Sequence, residues 1–317
     1  MKKQTQKDFL ILGADGGSAF TISVFSSLII TLVFAVILIA SGLAKNEQFT
    51  SSSVYTYLSY FLSSVSLFLC LAYFIKRKNL DFAMSVGIRR CEKKYYLLAI
   101  LVLFGSLFGL SGLNDLFIEF LSGFGYEAQE IVLPKNNFGD FILCFIIICA
   151  LPAILEECLF RGIILNSTKR LGDLFCIIIS GILFSLFHHS PVQTVYQFIM
   201  GVTFALLTVK SGSILPAMLF HFLNNLYIVV YYFLAPEGFA FAPWLTVVLC
   251  VSGVIAYLFG AFYLIFKCEK PKVDADLNAE FAKSFDINNE RKSFILFALA
   301  GILGCVVLWI VNLFPSA

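Results

Sequence analysis

Three short stretches hold the side chains with which this chain could do chemistry. Glu156 and Glu157 are followed by Arg161, Phe184 is followed by His188, and His221 by Asn225. The chain has three histidines, His188, His189 and His221, and all fall within or at the end of apolar runs. An ionisable group at the centre of a helix in hydrocarbon costs about 2.5–3.5 kcal/mol on insertion scales, so such groups mark functional positions. A carboxylate, two imidazoles and an amide together suit the activation of water. The carboxylate takes the proton as general base, and the imidazoles hold the water or bind a metal that acidifies it.

Each spacing is helical. Glu157 and Arg161 are four residues apart with the acid first, the favourable order for an ion pair. Pairing lowers the cost of burying either charge. Glu156 points about 100° round the helix and has no cation nearby in sequence, so it is free to face a cavity. Glu157 and Arg161 are therefore expected to brace the helix while Glu156 works. Phe184 shares a face with His188, and its ring would fix the imidazole. His189 faces elsewhere, beside Ser190 and Pro191, and is expected to meet water at the end of its span. His221 and Asn225 share a face. The amide of Asn225 offers a donor and an acceptor, and it could orient His221 or donate to a developing oxyanion. Asn224 lies off that face and suits a hydrogen bond between helices. If a metal such as zinc is bound, Glu156, His188 and His221 would be its ligands, since His₂Glu is one catalytic zinc set. No HExxH is present, and a glutamate that ligates zinc is poorly placed to act as the base as well.

The elements that must position these residues are membrane spans. Of 317 residues, 60% are hydrophobic and 13% charged, against about 25% charged in soluble domains. Apolar runs of about 20 residues span a bilayer as helices. The expected fold is an all-α polytopic transmembrane bundle of about nine spans, near 19–41, 54–75, 95–112, 140–166, 173–189, 192–210, 213–235, 243–267 and 293–314. The third is expected to be broken by Gly105, Gly109 and Gly112. The segment 113–130 should open with an interfacial helix, with Leu113, Leu116, Phe117, Phe120 and Leu121 on its apolar face. The first apolar stretch is too long for a signal-peptide core and reads as a retained helix. Residues 1–139 then form N-terminal helices and the interfacial segment, 140–235 the catalytic core, and 236–317 the C-terminal helices. The mixed-charge stretch 268–292 is a connector.

With the N-terminus in the cytosol, the inside segments hold 19 of the 22 basic residues, the others being Lys45 and Lys135 outside and Arg161 within a span. Of the nine cysteines, seven lie in apolar runs and two, Cys91 and Cys268, in basic loops, so no disulfide framework is expected. Counting about 1.5 Å per residue from the expected cytosolic ends, Glu156 lies about 15 Å deep, His221 about 12 Å and His188 about 22 Å. Tilted or broken helices would reconcile the three, as would a misplaced start of the fifth span at Leu171-Gly172-Asp173, which is the expected cause.

The motifs EECLFR (Glu156 to Arg161), FSLFH (Phe184 to His188) and HFLNN (His221 to Asn225) resemble the EExxxR, FxxxH and HxxxN/D pattern of the CAAX-protease and bacteriocin-processing family, which includes the type II CAAX prenyl endopeptidases. The resemblance covers about residues 140–235. It implies an intramembrane endopeptidase in which Glu156 is the general base for a water held with His188, while His221 and Asn225 stabilise the oxyanion. It leaves open whether a metal takes part, because both metal-dependent and glutamate-dependent schemes belong to the family. The implied substrate is a membrane-embedded or lipidated peptide or protein. Only part of the family implies a prenylated one. The bilayer is the other expected partner, nucleic acid is not one, and a bacterial plasma membrane is the expected location.

Two other classes fit the same residues. One is a non-enzymatic immunity or scaffold protein, which would have no use for an unpaired Glu156. The other is a secondary transporter or proton relay, which would be expected to show an internal repeat. No such repeat is evident in the sequence.

Overall fold

The computed structural model describes residues 11–78, 86–128, 133–135, 137–236, 239–271 and 284–314. Lys2, Lys3, Lys7, Lys272 and Lys283, residues 272–283 of the 268–292 connector and the end of the 113–130 segment lie outside the described residues.

The described chain is helical, with no strand among the described residues. The principal helices are α1 (Gly13–Ala40), α2 (Ser53–Lys78), α3 (Lys93–Gly109), α4 (Ser111–Ser122), α5 (Phe138–Thr168), α6 (Asp173–Phe187), α7 (Thr194–Ser211), α8 (Leu215–Leu234), α9 (Pro243–Phe266) and α10 (Ile287–Leu313). Eight are long and apolar enough to cross a bilayer when α3 and α4 are taken together, and α6 is a shorter apolar helix of 15 residues. The outer faces are apolar too. On α9, Val247, Val251, Ile255, Leu258 and Phe262 form an exposed stripe at helical spacing. Such a stripe would be a liability in water and is the natural surface of a helix in lipid. The chain is thus a multi-pass integral membrane protein.

Local sequence explains several helix starts. The Asn137 side chain accepts from the Asp140 amide at the start of α5, and Asp286 does the same for Asn288 at the start of α10. Pro216 and Pro243 sit in the first turns of α8 and α9, where a missing N–H costs nothing.

Helix α5 is the axis of the bundle and contacts α1, α2, α6, α7 and α8. Two pairs flank it, α1 with α10 and α3 with α9. The α3–α9 pair corrects one expectation. Gly105 does not break the third span, because α3 runs through it, whereas α3 does end at Gly109 and α4 begins at Ser111. Both glycines let α9 approach: a Cβ on Gly105 would come within 2.5 Å of the Tyr257 backbone nitrogen, and one on Gly109 within 2.4 Å of that of Val254. Small residues at such crossings gain packing that lipid cannot supply. Helix α4 occupies the place of the expected interfacial helix. Leu113, Leu116 and Phe120 are exposed on it, while Leu121 is buried.

Pro152 lies inside α5. It has no N–H to give to the carbonyl four residues earlier, that of Ile148, and its ring crowds that turn. The helix widens into π-type turns at Phe145–Ala150 and again at Cys158–Ile164. Such turns recur at functional sites.

Candidate active site

The three motifs converge from α5, α6 and α8. Glu157 and Arg161 are fully buried, and Arg161 Nη1 donates to Glu157 Oε1 at 2.9 Å. Helix α7, which contributes no motif, completes the setting. Arg161 Nη2 donates to the carbonyl of Gly201 at 3.1 Å. That approach depends on the α6–α7 crossing, where a Cβ on Gly201 would lie 2.8 Å from the Gly181 Cα.

The Arg161 guanidinium also lies over the rings of Phe184 and Phe204, at 4.4 and 4.8 Å from their centroids. A cation over an aromatic face in a dry environment is stabilised by the ring quadrupole. Phe184 contacts both motif histidines, its ring centroid 4.9 Å from that of His188 and 5.8 Å from that of His221. Phe204 stacks on His221 at 5.3 Å.

The same Glu157 oxygen that accepts from Arg161 also faces His221, with Nδ1 at 3.0 Å. The acid therefore joins α5 to α8 as well as bracing its own helix. A carboxylate can only accept, so Nδ1 of His221 carries a proton and Nε2 takes no part in that bond.

His188 is fixed differently. Its Nδ1 stands 2.8 Å from the carbonyl of Phe184. A carbonyl also only accepts, so the proton sits on Nδ1 and Nε2 presents its lone pair. That Nε2 lies 4.0 Å from Glu156 Oε2. Glu156 Oε2 is buried and has no hydrogen-bond partner among the described residues. Each of the two adjacent acids keeps a buried Oε2 without a hydrogen-bond partner among the described residues; they differ in that Glu157 is paired twice through Oε1, whereas Glu156 Oε2 stands beside an imidazole nitrogen.

Asn225 does not touch His221 through a hydrogen bond. Its Nδ2 donates to the Ile148 carbonyl at 3.2 Å, the carbonyl deprived of its usual donor by Pro152. Its Oδ1 accepts from Asn224 Nδ2 at 3.2 Å, and Asn224 Oδ1 accepts from Tyr196 of α7 at 2.7 Å. Asn224 makes its bond between helices and also orients its neighbour. Tyr196, Gly201 and Phe204 escaped the sequence reading. Nothing marks them among 13 tyrosines, 21 glycines and 36 phenylalanines.

His189 packs away from the site, with Nε2 3.3 Å from Cys305 Sγ of α10. The depth mismatch is not explained by a misplaced helix start, since α6 begins at Asp173 as expected. His188 follows 15 helical residues and His221 only six, yet both rings contact Phe184. The starts of α6 and α8 therefore do not lie at one level.

A zinc site of the His₂Glu kind needs three converging ligands. The Nδ1 bonds of His188 and His221 leave Nε2 of each ring open to a ligand, but the described residues contain no group of three or more His, Cys, Asp or Glu side chains placed to hold a metal ion. As arranged, Glu156, His188 and His221 do not make that set.

Residues 138–227, which run from the start of α5 into α8 and contain all three motifs, match the family model described as Type II CAAX prenyl endopeptidase Rce1-like. No curated protein and no solved structure matches the chain. That matched segment is what makes the chain similar to the type II CAAX prenyl endopeptidases.

Proposed function

We propose that the chain is an intramembrane endopeptidase that hydrolyses a peptide bond with a water activated by Glu156. The observation that carries this reading is the 4.0 Å separation of Glu156 Oε2 and His188 Nε2. Two acceptors at that distance do not bond to each other, but one water can lie about 2.8 Å from both. Glu156 takes a proton from this water as its oxygen attacks the scissile carbonyl carbon. The new C–O bond places negative charge on the former carbonyl oxygen. The second N–H of Asn225 Nδ2, and His221 Nε2 when its ring carries both protons, donate to that oxygen. As the intermediate collapses, the C–N bond breaks and Glu156 returns its proton to the leaving amine. No step is routed through a metal.

The substrate class is a membrane-embedded or lipidated peptide or protein, met within the bilayer. The basic loops between helices would face the cytosol, with the N-terminus on that side, in a bacterial plasma membrane. The test is cleavage of a library of membrane-protein and lipidated peptides by the purified protein in nanodiscs, with Glu156→Gln alongside. Products from the wild type alone support the reading. Equal product from both proteins removes Glu156 as the base. No product from a permissive library moves the weight to a scaffold role.

A further inference from the structure

Helix α10 lies outside the matched segment, yet it holds the turn that follows His188. Cys305 Sγ meets His189 Nε2 at 3.3 Å, Trp309 Nε1 donates to Thr194 Oγ1 at 2.8 Å, and Asn312 Nδ2 donates to the His189 carbonyl at 2.7 Å. Residues 305, 309 and 312 are spaced by four and three, so they share one face of the helix.

The turn needs such support. His189 has φ of +50°, a left-handed conformation that side chains other than glycine seldom adopt. Strained residues of this kind persist where the surroundings over-determine them. The turn is closed from within as well: Ser185 Oγ donates to the Thr194 carbonyl at 2.7 Å, and Thr194 Oγ1 to that of Ser190 at 3.0 Å. Helix α10 is in turn seated on α1. Thr21 Oγ1 donates to the Phe297 carbonyl at 2.6 Å and accepts from the Gly301 amide at 3.2 Å.

We propose that Cys305, Trp309 and Asn312 are positioning residues that clamp the turn from His188 to Thr194 and so hold the His188 imidazole at its distance from Glu156. This rests on the reading of His188 as a partner in water activation. The clamp holds the backbone that follows His188, and the Phe184 carbonyl holds its ring. Release of the turn frees the backbone of residue 188 and lets Nδ1 leave that carbonyl.

The chain has only three histidines, so ring-¹⁵N-labelled histidine gives few signals in the full-length protein in nanodiscs. Trp309→Phe keeps the ring and removes its N–H, and Asn312→Leu removes the other donor. In the double variant, the His188 signals should move toward the average of the two tautomers, while those of His221, held by Glu157, stay in place. Asn312→Gln, which restores a donor, should bring the His188 signals part of the way back. With a cleaved peptide in hand, kcat should fall about 10-fold with KM within about twofold, as expected for a misplaced group. Unchanged His188 signals in a double variant that elutes and melts like the wild type would overturn the clamp. If the double variant does not fold, the two single variants decide by the same signals. The spectra need no substrate, so this result stands apart from the cleavage test with Glu156→Gln.

Discussion

Glu157 Oε1 lies 3.0 Å from His221 Nδ1, so the acid next to the proposed base ties together two helices that the sequence separates by 64 positions. That oxygen also accepts from Arg161, which makes one carboxylate the shared anchor of a buried cation and a site imidazole.

Breaking this anchor from one side should be costly. Arg161→Met leaves Glu157 buried without its cation, and Glu157→Gln leaves Arg161 in the same state. Loss of one partner of a buried pair costs about 3–5 kcal/mol. The double variant should be more stable than either single one, because no unpaired charge remains. Thermal unfolding of the four proteins in one detergent measures this, and strictly additive losses would contradict the pairing.

Glu156→Gln should behave in the opposite way. Glu156 Oε2 has no partner among the described residues to lose, so the melting temperature should hold or rise. Cleavage should fall by about 10²–10⁴-fold, the usual worth of a general base. A variant that lost both stability and activity would make Glu156 a second brace.

Pro152→Ala tests how Asn225 is held. The substitution supplies an N–H to the Ile148 carbonyl, which then competes with Asn225 Nδ2 for it. Stability should not fall, as a proline in a helix interior costs about 3 kcal/mol, while turnover should drop about 10-fold as the amide loosens. Unaltered turnover would mean that the Ile148 contact does not orient Asn225.

Gly201→Ala places a Cβ 2.8 Å from the Gly181 Cα and pushes α6 from α7. Overpacking of this kind costs about 1–3 kcal/mol, and here it also displaces the carbonyl that Arg161 Nη2 uses. Cleavage should fall together with melting temperature. Gly212→Ala offers no such comparison, since its left-handed φ of +70° is strained with any side chain.

Treatment with a strong zinc chelator such as 1,10-phenanthroline should leave cleavage unchanged, and metal analysis of the active protein should find less than one equivalent. Loss of activity that returns with added zinc would replace the Glu156 scheme with a metal-bound water.

The sequence by itself determined a great deal. Apolar runs of fixed length give the membrane helices, because a backbone in hydrocarbon must satisfy its own hydrogen bonds. Helical geometry gives the contacts within two of the motifs: the Glu157–Arg161 pair and the Phe184–His188 contact follow from a separation of four residues. Pro152 announces that the Ile148 carbonyl will lack its usual donor. Tertiary structure alone decided what reaches across helices. It brought Glu157 to His221, Asn225 to Ile148, the ring of Phe204 and the carbonyl of Gly201 to Arg161, and α10 to the turn after His188. The difference is physical. Within a helix, spacing along the chain fixes distance in space, whereas between helices the distance depends on rotation, depth and how closely two backbones approach. Those are set by packing at positions such as Gly181 and Gly201, and no spacing within a motif records them.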